Sequence, residues 1–380
     1  MTEEKVAAPL QTPLATLHRA AGAELCELDG WLVPARYALH DEEYHAVRGG
    51  GAGLFDLCAG GRIEVRGTEA EAFLNGLVTN DVKKLEQGAW MLAAFPNVQG
   101  RLIAFARIIR FDQTTFLLDT EAATRDRVRQ MLERYTLAGD FHVHEATSSW
   151  ARLSVQGASA SRTIAAIFGA EAARLERWRV METNWEQKRA FLLRDTHTGE
   201  DGFDIFVETD GVADLWRALQ EAGARPVGFE ALETLRIEAG MPRHGIDMDE
   251  TVIVLETGLD HAVSFTKGCY LGQEIIARIH WRGHVAKKLV GLVFQDEPSE
   301  AERWALAKAT LIAPDEREMG RITSSARSPQ LQRTVALAYI RYAYLEPGTR
   351  ARVVLSEREL EARVQSLPLV RGSWFTENAT

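Results

Sequence analysis

The sequence holds little cysteine: Cys26, Cys58 and Cys269 are the whole complement of 380 residues. An odd number spread so thinly provides no disulfide framework, which excludes a small cross-linked secreted fold and fits a reducing cytosol. Positive charge is also in deficit. The 44 Lys and Arg are outnumbered by 54 Asp and Glu, a net charge of −10. Direct nucleic-acid binding and a membrane-binding surface are therefore not expected, although a local basic pocket is compatible with that balance. Long apolar runs are missing: none approaches the ~20 residues of a membrane span. Met1-Thr2-Glu3-Glu4-Lys5 has neither the basic flank nor the apolar core of a signal peptide. These absences make the expected location cytoplasmic. A phosphate loop is lacking as well. Gly49-Gly50-Gly51-Ala52-Gly53 is followed by no Gly-Lys-Ser/Thr and lies in no strand–glycine–helix order, so it reads as a flexible turn.

What is present is the length and apolar content, 46%, of an ordinary globular protein too large for one core. Arg62-Ile63-Glu64-Val65-Arg66 alternates as a half-buried strand does. Thr68 is placed to cap a helix over Glu69–Leu77, strands follow at Ala89–Phe95, Arg101–Arg110 and Thr115–Asp119, and a helix runs from Ala122 to Leu137. A comparable order recurs, with a strand over Trp150–Gln156, a helix toward Phe168, further strands near Asn184 and Phe191–Asp195, and a strand after Gly202. Helices over Val212–Glu221 and Phe229–Ala239 end at Gly223 and Gly240. After Lys287-Lys288, short strands at regular spacing indicate a small all-β barrel or sandwich, and the tail beyond Pro368 reads as loosely held.

One stretch concentrates chemistry: Lys267-Gly268-Cys269-Tyr270-Leu271-Gly272-Gln273-Glu274. A cation near Cys269 favours the thiolate, the nucleophilic and metal-binding form, whereas Cys26 and Cys58 read as buried filler. His280 and His284 share a helical face, but Gly283 between them and the lack of a second cysteine nearby argue against a metal site. The alternative reading of the stretch is a glycine-rich turn with an inert thiol.

Thr12-Pro13-Leu14, Asp29-Gly30-Trp31, Ala46-Val47-Arg48 with Gly53-Leu54-Phe55-Asp56, Thr198-Gly199-Glu200-Asp201-Gly202-Phe203 and Thr234-Leu235-Arg236-Ile237-Glu238-Ala239-Gly240 stand in one order along the chain. On these segments the chain resembles the glycine-cleavage T-protein (aminomethyltransferase) superfamily. The resemblance implies an α+β cloverleaf of three domains around a tetrahydrofolate pocket. Two of these are ferredoxin-like, one split over 1–55 and 140–286 and one inserted at 56–139; a C-terminal β-barrel covers 287–380. The Lys267–Glu274 stretch is similar to the signature of the YgfZ branch, which implies a folate-binding factor for iron–sulfur cluster assembly or repair and dependent tRNA modification. In that reading Cys269 is the reactive group and iron–sulfur client or scaffold proteins are partners.

The resemblance also assigns pocket residues. Glu238 is expected against the pterin, where a carboxylate accepts paired N–H donors. Arg236, Glu200, Phe203, Asn97 and Gln99 are expected around the folate. Lys267, with Arg278 and Arg282, is expected toward its acidic tail, and Tyr270 and Gln273 shape the surroundings of Cys269. One departure opposes aminomethyl transfer as the first reading. T-proteins carry an assisting aspartate on the strand after an Asn-x-x-Gly turn, and here Asn97-Val98-Gln99-Gly100 leads to Ala104 at that place. Alanine cannot take a proton. A tetrahydrofolate-dependent aminomethyltransferase, or a demethylase acting on a methylated amine, is accordingly the alternative function.

Overall fold

Ile63 and Val65 are fully buried while Arg66 is exposed, so the alternation at Gly61–Arg66 does build a strand. A computed structural model describes residues 8–135, 139–307, 309–355 and 358–376. That strand belongs to a five-stranded antiparallel sheet ordered Ala89–Pro96, Leu102–Arg110, Thr115–Thr120, Gly61–Arg66, His142–Glu145. Helices Ala70–Leu77 and Arg125–Arg134 cover one face, burying Leu74, Leu77, Val128 and Leu132 against Ile63, Phe95, Ile108 and Leu118. Since the pleat has period two, Ala104, Ala106 and Ile108 join this helix layer, and Phe105 and Arg107 face the other way. The last strand of this sheet, His142–Glu145, lies wholly beyond the 139/140 boundary expected for the inserted unit; we propose 145/146 instead. Two local expectations change. Thr68 donates its hydroxyl to Asp140 at 2.6 Å rather than capping the helix. The helix expected from Ala122 starts at Arg125, after a 3-10 turn, and its expected end at Leu137 lies outside the described residues.

The second unit is a six-stranded sheet ordered Val180–Trp185, Lys188–Arg194, Gly202–Glu208, Trp150–Gln156, Gly53–Asp56, Arg225–Pro226. Helices Ala160–Phe168 and Val212–Glu221 lay Ile164, Leu215, Trp216 and Leu219 on Leu153, Val155, Leu192 and Ile205. Chain order does not match space here. Gly53–Asp56, from ahead of the first unit, pairs with Trp150–Gln156 behind it, and Asp56 stands opposite Leu153. The helix Phe229–Ala239 buries Leu235 against Tyr44 and Val47 of the helix His40–Arg48.

Six strands then close a barrel: Lys287–Phe294, Arg333–Arg341, Glu318–Ser328, Thr310–Ile312, Arg350–Val354 and Glu359–Gln365. The last of these escaped the sequence reading, yet its alternate Leu360, Ala362 and Val364 are buried, and its pairing with Lys287–Phe294 removes the free edges. The class is thus α+β with a closed C-terminal barrel. The tail is not loose. Leu369 and Val370 donate backbone N–H groups to the carbonyl of Glu238 at 2.7 and 3.1 Å, and Ser373–Thr376 forms one helical turn against the central cavity. Among the described residues no helix is long and apolar enough to cross a membrane.

Candidate active site

A cavity of about 910 Å³ opens where the two sheets, the N-terminal segment and the tail converge. Its walls are aromatic and aliphatic: Trp90, Phe105, Trp178, Phe229, Trp374 and Phe375, with Leu92 and Leu259. Trp90 and Trp178 lie 4.6 Å apart between ring centroids. Trp178 holds φ at +68°, a backbone state that costs a bulky residue energy and is kept only by its surroundings. Arg177 sits 3.8 Å over the Trp374 ring, fastening the tail across one side.

The floor is ionic. The pleat turns Arg107 toward the cavity, where Nε and Nη2 donate to Asp119 Oδ2 at 3.0 and 2.7 Å. Its Nη1 donates to Asp195 at 2.9 Å and meets Asp204 at 2.6 Å. Arg152 Nη1 adds a contact to Asp119 at 2.5 Å, and His197 Nε2 lies 2.9 Å from Asp204. Burial opposes the charge of Arg107, but Asp204, Asp119 and Asp195 outweigh it and hold the guanidinium protonated far above its usual range. Asp204 is held far below the carboxylate range: burial opposes its charge, and His197 and Arg107 overcome that penalty. Removing one member would leave a buried charge uncompensated. Asp195 differs: burial raises its pKa against the lowering effect of Arg107 and His197, and Asp204 adds to the rise.

Also lining the cavity, Arg236 donates through Nη1 to Asp247 at 2.5 Å and through Nη2 to Glu233 at 2.8 Å. Glu121, directly after the strand Thr115–Thr120, is different. Both of its oxygens accept the His244 backbone N–H, at 3.3 and 3.1 Å, and no guanidinium pairs with it among the described residues. Burial pushes its pKa up to about 7, against the lowering effect of the His244 N–H and Arg243, while nearby Asp29 adds to the rise.

Of the residues expected at the site, Arg236 lines this cavity; among the described residues the others stand elsewhere. The Glu238 carboxylate is fully buried between Tyr44, Arg48 and Ser328, whose hydroxyl donates at 2.5 Å, so its lone pairs serve the union of two helices and the barrel. Glu200 is engaged by Arg48 at 2.7 Å and by Ser373, and Phe203 is sealed in the core of the six-stranded sheet. Asn97 accepts the backbone N–H groups of Gln99 and Arg101 at 2.9 and 3.0 Å, which makes it the staple of its own hairpin, with Gln99 exposed at the tip. Lys267 does not reach toward a ligand tail. Its ammonium donates to the carbonyls of Asn75, Val78 and Asn80 at 2.7, 2.8 and 2.7 Å, closing the C-terminal end of the helix Ala70–Leu77, where the dipole favours a cation. Arg278 and Arg282 are exposed.

Tyr270 is buried beneath Lys267, 5.0 Å from Nζ to the ring centre. Gln273 opens the helix Gln273–Arg282 with its N–H on the Tyr270 carbonyl at 3.3 Å. Cys269 is exposed, and no residue of 267–274 lines the cavity. The glycines of that stretch have a packing role. Gly272 holds φ at +75°, and a Cβ there would come within 2.3 Å of the Asn97 carbonyl, so the turn exists to seat the Asn97–Gly100 hairpin. His280 stacks on Phe265 and His284 on Tyr342 rather than converging, and among the described residues no group of three His, Cys, Asp or Glu is placed to hold a metal.

The strand expected to carry an assisting acid presents Phe105, not Ala104, to the cavity. The residues that reading missed are Arg107, Asp119, Glu121, Asp195 and His197. One signal was available: charged residues at alternate positions of otherwise apolar strands, as in Arg107 and Asp119, mark a sheet face that is not core.

Fold and cavity together define a three-lobed α+β protein with a ligand chamber at the meeting of its lobes. Residues 14–267 match the GCVT N-terminal domain and residues 287–371 the glycine cleavage T-protein C-terminal barrel domain, so the chain belongs to the glycine-cleavage T-protein superfamily. It is 36% identical to an aminomethyltransferase of Rubrobacter xylanophilus over 95% of this chain and 94% of that one. It is 32% identical to an aminomethyltransferase of Burkholderia multivorans over 95% of this chain and 96% of that one. The crystal structure of glycine cleavage system aminomethyltransferase T from Bartonella henselae aligns with a TM-score of 0.87 at 26% identity, covering 95% of this chain and 98% of that one.

Tetrahydrofolate is the cofactor of this family, and the residues present fit it. Trp90 Nε1, Asp119 Oδ1, Arg152 Nε and Arg243 Nε are buried on the chamber walls without a hydrogen-bond partner. Orphaned donors and an acceptor between aromatic faces suit a flat ring rich in nitrogen and oxygen.

Proposed function

We propose that the chain transfers a one-carbon unit from an amine to tetrahydrofolate, as an aminomethyltransferase or, failing that donor, as a demethylase of a methylated amine. The observation that carries this reading is the central chamber itself. It is aromatic-walled and fixed in place by the Arg107 cluster, and residues of its walls carry buried polar atoms without a partner. Its location in a chain aligned nearly end to end with aminomethyltransferases gives the reading its reaction class. Bound tetrahydrofolate would supply the nucleophilic nitrogen that receives the carbon. Trp90, Trp178 and Phe105 would hold its ring by stacking and exclude water. Asp119 Oδ1 would accept a ring N–H, and the ionic floor, already paired and rigid, would fix the orientation without reorganising.

Calorimetry with tetrahydrofolate tests the binding half, and release of methylenetetrahydrofolate from an aminomethylated lipoyl carrier, or of methyltetrahydrofolate from a methylated amine, tests the transfer. Absence of folate binding would reject the proposal. The iron–sulfur factor of the YgfZ branch is the second reading, favoured by the exposure of Cys269. The position of that thiol away from the chamber ranks it below the first.

A further inference from the structure

The chamber is faced by carboxylates from several elements, and their partners sort them. Asp56 accepts the Thr12 hydroxyl, His18 Nε2 and the Cys58 N–H at 2.6, 2.9 and 2.9 Å, and is locked as a carboxylate. Asp119 and Asp195 each pair with Arg107, with Asp119 Oδ1 alone left unpartnered, and Glu233 pairs with Arg236 and, at 3.5 Å, with Arg243. Asp29 is exposed at the rim, in a left-handed turn with φ at +50°. Glu121, half-buried, is the carboxylate that faces the chamber with a backbone N–H on it and no cation among the described residues.

Its position follows from strand register. Arg107 stands opposite Asp119 and Ala106 opposite Thr120. Continuing one rung places Glu121 across from Phe105, on the same face as the Arg107–Asp119 pair. The strand that lacks a proton-carrying side chain at Phe105 therefore has one supplied by its neighbour, at a cross-strand distance that long side chains span.

We infer that Glu121 is the proton-transferring catalytic residue of this chamber, acting at the nitrogens that gain and lose the one-carbon unit. The inference rests on the transferase reading and names its acid–base group. Glu121 Oε takes the proton that the accepting nitrogen loses as its bond to carbon forms. It returns that proton to the leaving nitrogen as the old carbon–nitrogen bond breaks with its electron pair on that nitrogen. With an aminomethylated carrier Glu121 acts twice, the second time moving the proton of the other accepting nitrogen to the departing carrier thiolate, so that ammonia and thiol both leave; a methylated amine needs one cycle, and neither donor needs an oxidant. The groups facing Glu121 suit it to both halves. The His244 N–H orients the carboxylate, Arg243 and Arg236 favour its charged form, and burial and Asp29 oppose it, which leaves it titrating near neutrality.

Wild type, Glu121→Gln and Glu121→Asp are compared in three measurements: tetrahydrofolate affinity, kcat and kcat/KM against pH with both donor classes, and the proton titration of the ligand-free proteins. The expected result is unchanged folate affinity, a kcat lowered by about 100-fold in Glu121→Gln, and loss of the wild-type inflection near pH 7 in kcat/KM. Glu121→Asp should keep an inflection while transferring slowly. The ligand-free wild type should take up one proton more than Glu121→Gln, with a midpoint near 7. A Glu121→Gln variant with wild-type kcat and pH profile overturns this assignment alone, as does a titration difference confined to the ordinary carboxylate range. A wild type that binds folate and transfers from neither donor overturns the transferase reading, and Glu121 falls with it.

Discussion

Tyr44 donates its hydroxyl proton between the two carboxylate oxygens of Glu238, at 2.9 and 2.8 Å, and the pair is buried where the helix His40–Arg48 crosses the helix Phe229–Ala239. Arg48 Nη2 adds a contact to Glu238 at 3.0 Å and its Nη1 reaches Glu200 at 2.7 Å. One arginine thus ties the Thr198–Phe203 loop, a long helix and, through Ser328, the barrel. The motif residues of the sequence meet each other here, and the chamber lies to one side.

Glu238→Ala should consequently lower stability rather than act on the ligand. Leaving Arg48 and Tyr44 buried without their acceptor costs about 3–5 kcal/mol by the usual scale for a broken buried pair. Urea unfolding checks this. A variant of unchanged stability that has lost only tetrahydrofolate affinity would return Glu238 to the pocket.

Glu121 makes stability depend on pH in a definite direction. Its folded pKa of about 7 lies above the ordinary 4.5, so between those values the folded chain holds a proton that the unfolded chain has released. Stability from this group is therefore present at low pH and is lost as pH rises through 7. Glu121→Gln should be more stable than wild type at pH 8, by at most about 3 kcal/mol, and equal to it at pH 4. Chemical denaturation at the two pH values is the measurement.

Lys267 serves the helix end, and Lys267→Met should show it. Three carbonyls would lose their donor in a buried site, at about 1–3 kcal/mol for each group left unsatisfied and less where water enters. Thermal unfolding should fall by several degrees while Cys269 keeps its reactivity toward a thiol reagent. A marked fall in that reactivity at unchanged stability would restore Lys267 as the activator of the thiol.

The tail is part of the chamber. Trp374→Ala removes the ring beneath Arg177, and on the scale of partly buried cation–π contacts it should weaken tetrahydrofolate binding by about 1 kcal/mol. Calorimetry of the variant against wild type would expose a tail that plays no part.

Cys269→Ser should leave folding and transfer within about 0.5 kcal/mol of wild type, as exposed substitutions do. Complementation of a cell deficient in iron–sulfur assembly is the second arm. Rescue by wild type and not by the serine variant would promote the iron–sulfur reading.

Local pattern was enough for much of the fold. The helices Val212–Glu221 and Phe229–Ala239 have the bounds their periodicity and terminal glycines indicate, and the shift to short strands after Lys288 marks the barrel. Glu359–Gln365 was missed because charged residues alternate with its apolar ones at a barrel surface open to water. The tail was misread for a different reason: Trp374 and Phe375 are anchored by partners far away in sequence, Arg177 and the chamber walls.

Sequence by itself determined the order of elements, the α+β class and the superfamily, because these depend on local periodicity and on motifs that survive as contiguous strings. Only tertiary structure decided which charged residues share a chamber. Glu238 lies within a helix and Glu121 just ahead of a helical turn, and nothing local tells which of the two keeps an exchangeable proton. Burial against Tyr44, Arg48 and Ser328 fills every lone pair of the first. A strand end aimed at an aromatic hollow, with one backbone N–H for company, leaves the second free to exchange a proton.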